Sequence, residues 1–141
     1  MKSLDAFLHP VEREHLFVPI SDRFVDEKGE PIPFEFRPIS HEENKAINRR
    51  CTRKGKKGEE EFDLLEYKWG LAAASIVYPD LCDAALQEGL GTQGDEVKTL
   101  KALLPTLGEF SAAFQVAQEA NGFGRDTGRE LEEAKNASGR A

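Results

Sequence analysis

The chain offers little to covalent, redox or metal chemistry. It has two cysteines and three histidines, and no CxxC, HxxxH or HExxH spacing occurs anywhere in it. Cys51 and Cys82 have neither CxxC spacing nor a nearby histidine pair, so in an intracellular chain ordinary reduced thiols are expected rather than a disulfide or a zinc site. The glycine-rich "GLGTQG" precedes a helical pattern but follows no strand and has no Walker lysine-serine pair, which leaves no nucleotide fingerprint. The sequence therefore points to no enzyme activity and no cofactor.

Long apolar runs are missing too. None approaches the roughly 20 residues that cross a bilayer, and "SLDAFLHPVEREH" is broken by Asp5 and Pro10 before a signal-peptide core could form. Positive charge is in deficit: the net charge is −7 and the sequence pI about 5.1. That balance argues against general affinity for nucleic acid or an anionic membrane. At 141 residues the chain matches one ordinary domain.

What is present is a clear β signal followed by helices. Ile32, Phe34 and Phe36 alternate with Pro33, Glu35 and Arg37, which puts three apolar side chains on one strand face. The cluster "DEKGEP" supplies a turn at Gly29, so Phe24 and Val25 are expected to pair antiparallel with that strand. Prolines 19, 31, 33 and 38 remove ladder donors and predict edge strands. Before the hairpin, Leu4, Phe7 and Leu8 form a short apolar patch at helical spacing, which reads as an amphipathic turn docked on the core or on another subunit, or as a frayed terminus.

From Ser40 the period becomes helical. Ser40 with Glu43, and Thr106 with Glu109, have capping-box spacing, in which each side chain satisfies the other residue's orphaned backbone donor. Helices are predicted from about 41 to 50, from 59 to about 78, over "PDLCDAALQEGLG", over "TQGDEVKTLKALL", and over "LGEFSAAFQVAQEA". The second should bury Phe62, Leu65, Trp69, Ala72, Ala73 and Ile76, and the last Leu107, Phe110, Phe114 and Ala117. The predicted fold is α+β and mainly helical, with an N-terminal antiparallel β-hairpin packed on four or five helices. Residues 1–122 should form one globular domain and 123–141 a mobile charged tail.

Lys45, Arg49, Arg50, Arg53, Lys54, Lys56 and Lys57 place seven cations in thirteen residues without an acid. Such a patch could track phosphates. No aromatic side chain is interleaved for base stacking, and "GEEE" follows directly. A helix end, a loop and a helix start explain the same order of charge, because cations suit a helix C-terminus and acids an N-terminus.

Taken in order, "FVDEKGEPIPFEFRPIS", "HEENKAINRRCTRK", "VYPDLCDAALQEGLG", "LLPTLGEFSAAFQVAQEANGF" and "LEEAKN" resemble the phage tail assembly chaperone family of contractile-tailed phages and prophages, the XkdN-like group. The resemblance covers roughly residues 20–136, and "LLPTLGEF" departs slightly from the family's shorter loop. It implies a non-enzymatic protein of the bacterial host cytoplasm that binds and solubilises the tape measure protein during tail morphogenesis and is absent from the mature virion. The implied partners are the tape measure protein, a frameshifted long form of the chain, the tail tube protein, and further copies sharing edge strands. Phe34, Phe36, Phe110 and Phe114 are candidates for core or partner contacts, which periodicity does not separate.

Ala134-Lys135-Asn136 can be encoded as GCA AAA AAC, which contains a slippery heptamer of the −1 frameshifting type. Other codons serve equally, so the nucleotide sequence decides that point. Two other readings stand beside the chaperone: a small nucleic-acid-associated adaptor using the basic run 45–57, and a minor structural tail subunit.

Overall fold

The computed structural model describes residues 3–123. Its elements run α1 (Asp5–Leu8), β1 (Leu16–Pro19), β2 (Pro33–Phe36), α2 (His41–Arg50), β3 (Thr52–Lys54), β4 (Glu60–Phe62), α3 (Leu64–Ser75), β5 (Ile76–Tyr78), α4 (Ala84–Leu90), α5 (Glu96–Leu103) and α6 (Leu107–Ala120). The fold is α+β, as the sequence predicts. The expected tail, with Ala134-Lys135-Asn136, lies outside the described residues apart from Phe123.

The 26–30 turn forms where its residues predict. Asp26 Oδ1 accepts from the Lys28 and Glu30 amides at 2.8 and 3.0 Å, and Gly29 takes φ +80°, which L side chains rarely adopt. The ladder beyond it differs from expectation. Phe24 and Val25 contribute only the Ile32 N–H bond to Phe24 O and a single Val25–Pro31 bridge. The regular partner of β2 is β1, in the antiparallel register Leu16↔Phe36 to Pro19↔Pro33. Nor is β2 an edge: β5 pairs antiparallel on its other side, giving the order β1-β2-β5. The prolines permit this because Pro19 and Pro33 face each other at the ladder's end, and β5 meets only Glu35 and Phe36.

Phe34 and Phe36, 3% and 0% exposed, point into the core that the sheet shares with α3, α5 and α6. Ala72, Ala73, Leu100, Leu104, Ala113, Ala117 and Ala120 complete it, the alanines keeping α3 and α6 close. Asn121 fastens the far end of α6. Its Oδ1 accepts from the Ile39 amide at 2.7 Å, and its Nδ2 donates to Ser75 Oγ at 3.0 Å and Ala117 O at 2.7 Å. A chain turn, a helix end and α6 are thus joined through one side chain.

Both predicted capping boxes form, at Ser40 with Glu43 and at Thr106 with Glu109. The segment between α2 and α3 departs from expectation. Arg53 is not in the last turn of α2, and 59–61 does not begin a helix; 52–62 folds as a second hairpin, with Arg53 opposite Glu61 and Lys54 opposite Glu60. Cross-strand attraction between unlike charges competes successfully with the helix-dipole arrangement. Helix α3 begins only after Asp63, whose side chain accepts from the Glu66 amide. It ends at Ser75, three residues before the expected boundary, where the β-branched Ile76 and Val77 extend into β5.

Candidate functional site

Two structural circumstances separate the four candidate phenylalanines. Phe34 and Phe36 are enclosed in the core, with ring centroids 6.5 Å apart, and have no surface left for a partner. Phe110 and Phe114 stand half-buried on the rim of α6. Trp69 of α3 packs on Phe110 at a centroid distance of 4.1 Å, and Phe110 meets Phe114 edge-on at 6.1 Å.

This ring cluster is extended by residues the sequence places inside. Leu65 lies one turn before Trp69 on α3, and Leu107 one turn before Phe110 on α6, positions that share a helix face. Leu65 is 62% exposed and Leu107 91% exposed, correcting the expectation that both are inward. Phe62, also expected inside, is 48% exposed and packs its ring on Tyr67. The core line of α6 is instead Ala113, Val116, Ala117 and Ala120. Trp69, Phe110 and Phe114 form a half-buried ring cluster where α3 meets α6, and Leu65 and Leu107 are exposed one turn before it on their own helices.

Cations border that cluster. Lys68 Nζ lies 5.5 Å from the Phe114 ring centre and Lys101 Nζ 5.8 Å from that of Trp69. Lys101 also pairs with Glu66 at 2.8 Å. The mixture of rings and ammonium groups suits an amphipathic helix with an apolar stripe and acidic flanks. The i, i+4 pair Leu65 and Trp69 was the sequence signal for it, but helical spacing is the same for a core stripe and an exposed one.

The basic run has a different geometry. Lys45, Arg49 and Arg50 are exposed on α2, Arg53 and Lys54 lie on β3, and Lys56 and Lys57 stand in the turn that follows. Neighbouring strand residues point to opposite faces, so Arg53 and Lys54 diverge, each opposite a glutamate. Arg50 lines another opening, a cavity of about 650 Å³ that also includes Cys51, Glu66, Cys82 and Glu96. Burial pushes the Glu96 carboxyl up, against the pull of Arg50 and Arg37. Both cysteines are free thiols, raised by burial.

Among the described residues, no group of three His, Cys, Asp or Glu side chains is placed to hold a metal ion. No described helix is long and apolar enough to cross a membrane. The N-terminal patch does not dock on its own chain: Leu4, Phe7 and Leu8 are 68%, 81% and 68% exposed.

Comparison with known proteins supplies the family. The model of the phage XkdN-like tail assembly chaperone protein matches residues 4–135. The phage-like element PBSX protein XkdN of Bacillus subtilis (strain 168) is 36% identical over 130 residues, covering 89% of this chain and 87% of its own. The uncharacterized protein YqbN of the same organism is 34% identical over 128 residues, covering 88% and 85%. A crystal structure of the protein YqbN superposes with a TM-score of 0.72 at 28% identity, over 87% of this chain and 98% of that one. The chain belongs to the phage XkdN-like tail assembly chaperone family.

Proposed function

We propose that this protein acts without catalysis, in the cytoplasm of the bacterial host, by binding the tape measure protein and keeping it soluble until the tail tube forms around it. The observation that carries this reading is the half-buried ring cluster of Trp69, Phe110 and Phe114 with the exposed Leu65 and Leu107 beside it. A long helical client that displays apolar stripes aggregates unless they are covered. A surface of rings bordered by Lys68 and Lys101 suits such a stripe at i, i+3, i+4 and i+7 anchor positions. The net charge of −7 then keeps the complex dispersed.

The face sits on α3 and α6, and Phe123 lies beyond the opposite end of α6. A frameshifted long form recruits tail tube protein from beyond that end while the client stays on the ring cluster. The test is co-expression with the tape measure protein encoded nearby, followed by size-exclusion chromatography in moderate salt. Co-elution with soluble tape measure protein, lost in Leu107→Asp, is the expected result. Tape measure protein that stays insoluble with both long and short forms present refutes the reading.

A further inference from the structure

We propose that the cavity between α2, α3, α4 and the start of α5 is a binding site for a basic side chain of another polypeptide, its guanidinium or ammonium group pairing with Glu96. The site uses other residues than the ring cluster and requires no tape measure protein.

A volume of about 650 Å³ is room enough for a whole side chain. Four of the lining residues are charged: Arg50, Glu66, Asp95 and Glu96. Two of these are already engaged. Glu66 Oε2 accepts from Lys101 Nζ at 2.8 Å, and Asp95 Oδ1 caps α5 by accepting from the Lys98 amide at 2.9 Å. The charges that act on Glu96 from outside the lining are engaged too: Arg37 is held by Glu43, and Asp80 Oδ1 accepts from the Cys82 amide at 3.0 Å. The Glu96 carboxylate has no hydrogen bond or ion pair with any described residue, and neither has the Arg50 guanidinium.

These two free charges are not equivalent. Arg50 is exposed and keeps its hydration. Glu96 is half-buried, and burial pushes its carboxyl up in spite of the attraction of Arg50 and Arg37. A partly desolvated carboxylate without a partner gains more from an incoming cation than a hydrated guanidinium gains from an anion. Its oxygens are not sealed in the protein: among the described residues no fully buried side-chain oxygen or nitrogen lacks a partner. The rest of the lining sets the sign of the ligand. Acids outnumber bases there three to one, and Asp95 and Glu96 fill the end of α5 where an anion would otherwise sit. A bare metal ion does not fit, since no three His, Cys, Asp or Glu side chains among the described residues are placed to hold one. What fits is a cation on an apolar stem: Gly70, Cys51 and Val97 offer the stem uncharged surface, and Glu96 takes the head.

The test uses the full chain, isotope-labelled for amide NMR and titrated with N-acetyl-arginine methylamide. Saturable shifts are expected at Gly94, Asp95, Glu96 and Val97, and the citrulline analogue, of the same shape without the charge, should give none. Binding should also slow alkylation of Cys82, an exposed thiol on the cavity wall. Glu96→Gln should weaken the probe about tenfold or more, whereas Arg50→Gln, which removes a competing cation, should tighten it. Thermal melts check that both variants fold; if Glu96→Gln does not, the citrulline comparison on the wild-type chain decides. Absence of saturable shifts at these amides overturns the proposal, as do equal shifts with citrulline, unchanged affinity in a folded Glu96→Gln, or weaker binding in Arg50→Gln. Putrescine, a diamine without a peptide group, separates the two sources of such a cation: binding tighter than that of the arginine probe assigns the cavity to a free amine and overturns the side-chain proposal. Tape measure protein is absent from every arm, so failure here is separate from failure of the client reading.

Discussion

The Arg23 guanidinium reaches across 86 residues of sequence to Glu109, with Nε and Nη2 both 2.9 Å from the carboxylate, while Nη2 also donates to Leu103 O at 2.9 Å. The loop after β1 is thereby tied to the start of α6, the helix that carries half of the aromatic face. Glu109 is at the same time the capping-box partner of Thr106.

Acid should loosen this tie. The Ser21 and Thr106 hydroxyls and the Arg23 guanidinium hold the Glu109 carboxyl down at about 2, from an ordinary 4.5. A carboxylate lowered by folding contributes stability that is complete above its unfolded value and is lost as pH falls through the folded one. Melting temperature should therefore drop between about pH 4.5 and pH 2. Glu109→Gln should lower stability by about 1.5–3 kcal/mol near neutral pH and flatten part of that acid limb. Glu43, held at about 2 by Arg37 and the Ser40 amide, supplies another part. Thermal melts across the pH series check both.

Gly70 of α3 packs against Ile47 of α2. A Cβ there would lie 2.7 Å from Ile47 Cγ2. Gly70→Ala should destabilise the protein by about 1–3 kcal/mol through overpacking, despite alanine's better helix propensity. In a double-mutant cycle with Ile47→Ala, the two changes should cost less together than their sum. Urea denaturation of the four proteins measures the coupling.

Core and surface apolar side chains should part company in function. Phe36→Ala should cost about 3–5 kcal/mol of stability, because the ring is fully enclosed. Leu107→Ala should change stability by no more than about 0.5 kcal/mol while weakening client capture. Denaturation midpoints set beside co-elution yields separate the two effects.

The second hairpin can be tested by charge reversal. Arg53→Glu faces Glu61 with a like charge and should destabilise the hairpin by about 0.2–1 kcal/mol, and adding Glu61→Arg should restore it. Amide exchange at Gly55, whose N–H bonds Glu59 O at 2.5 Å, reports the opening.

Local chemistry made some of these features legible in the sequence and left others out of view. Ser40 with Glu43 and Thr106 with Glu109 are three residues apart, so both boxes could be read directly. The alternation of Phe34 and Phe36 likewise gave their common face. Strands β3 and β4 are three residues each, too short to show a period, and their charges fit two helix ends equally well. β5 follows α3 without a break, so a helical pattern runs into it, although Ile76, Val77 and Tyr78 favour a strand. Exposure of Leu65 and Leu107 depends on how α3 and α6 meet, which no local pattern contains.

The Asn121 fastening has a consequence for how the protein is made. Its partners Ile39 and Ser75 emerge from the ribosome long before it does. At about 5–20 residues per second, the β1–β2 hairpin waits on the order of several seconds for the helix that covers Phe34 and Phe36. The chain thus spends most of its own synthesis with Phe34 and Phe36 uncovered and its core open.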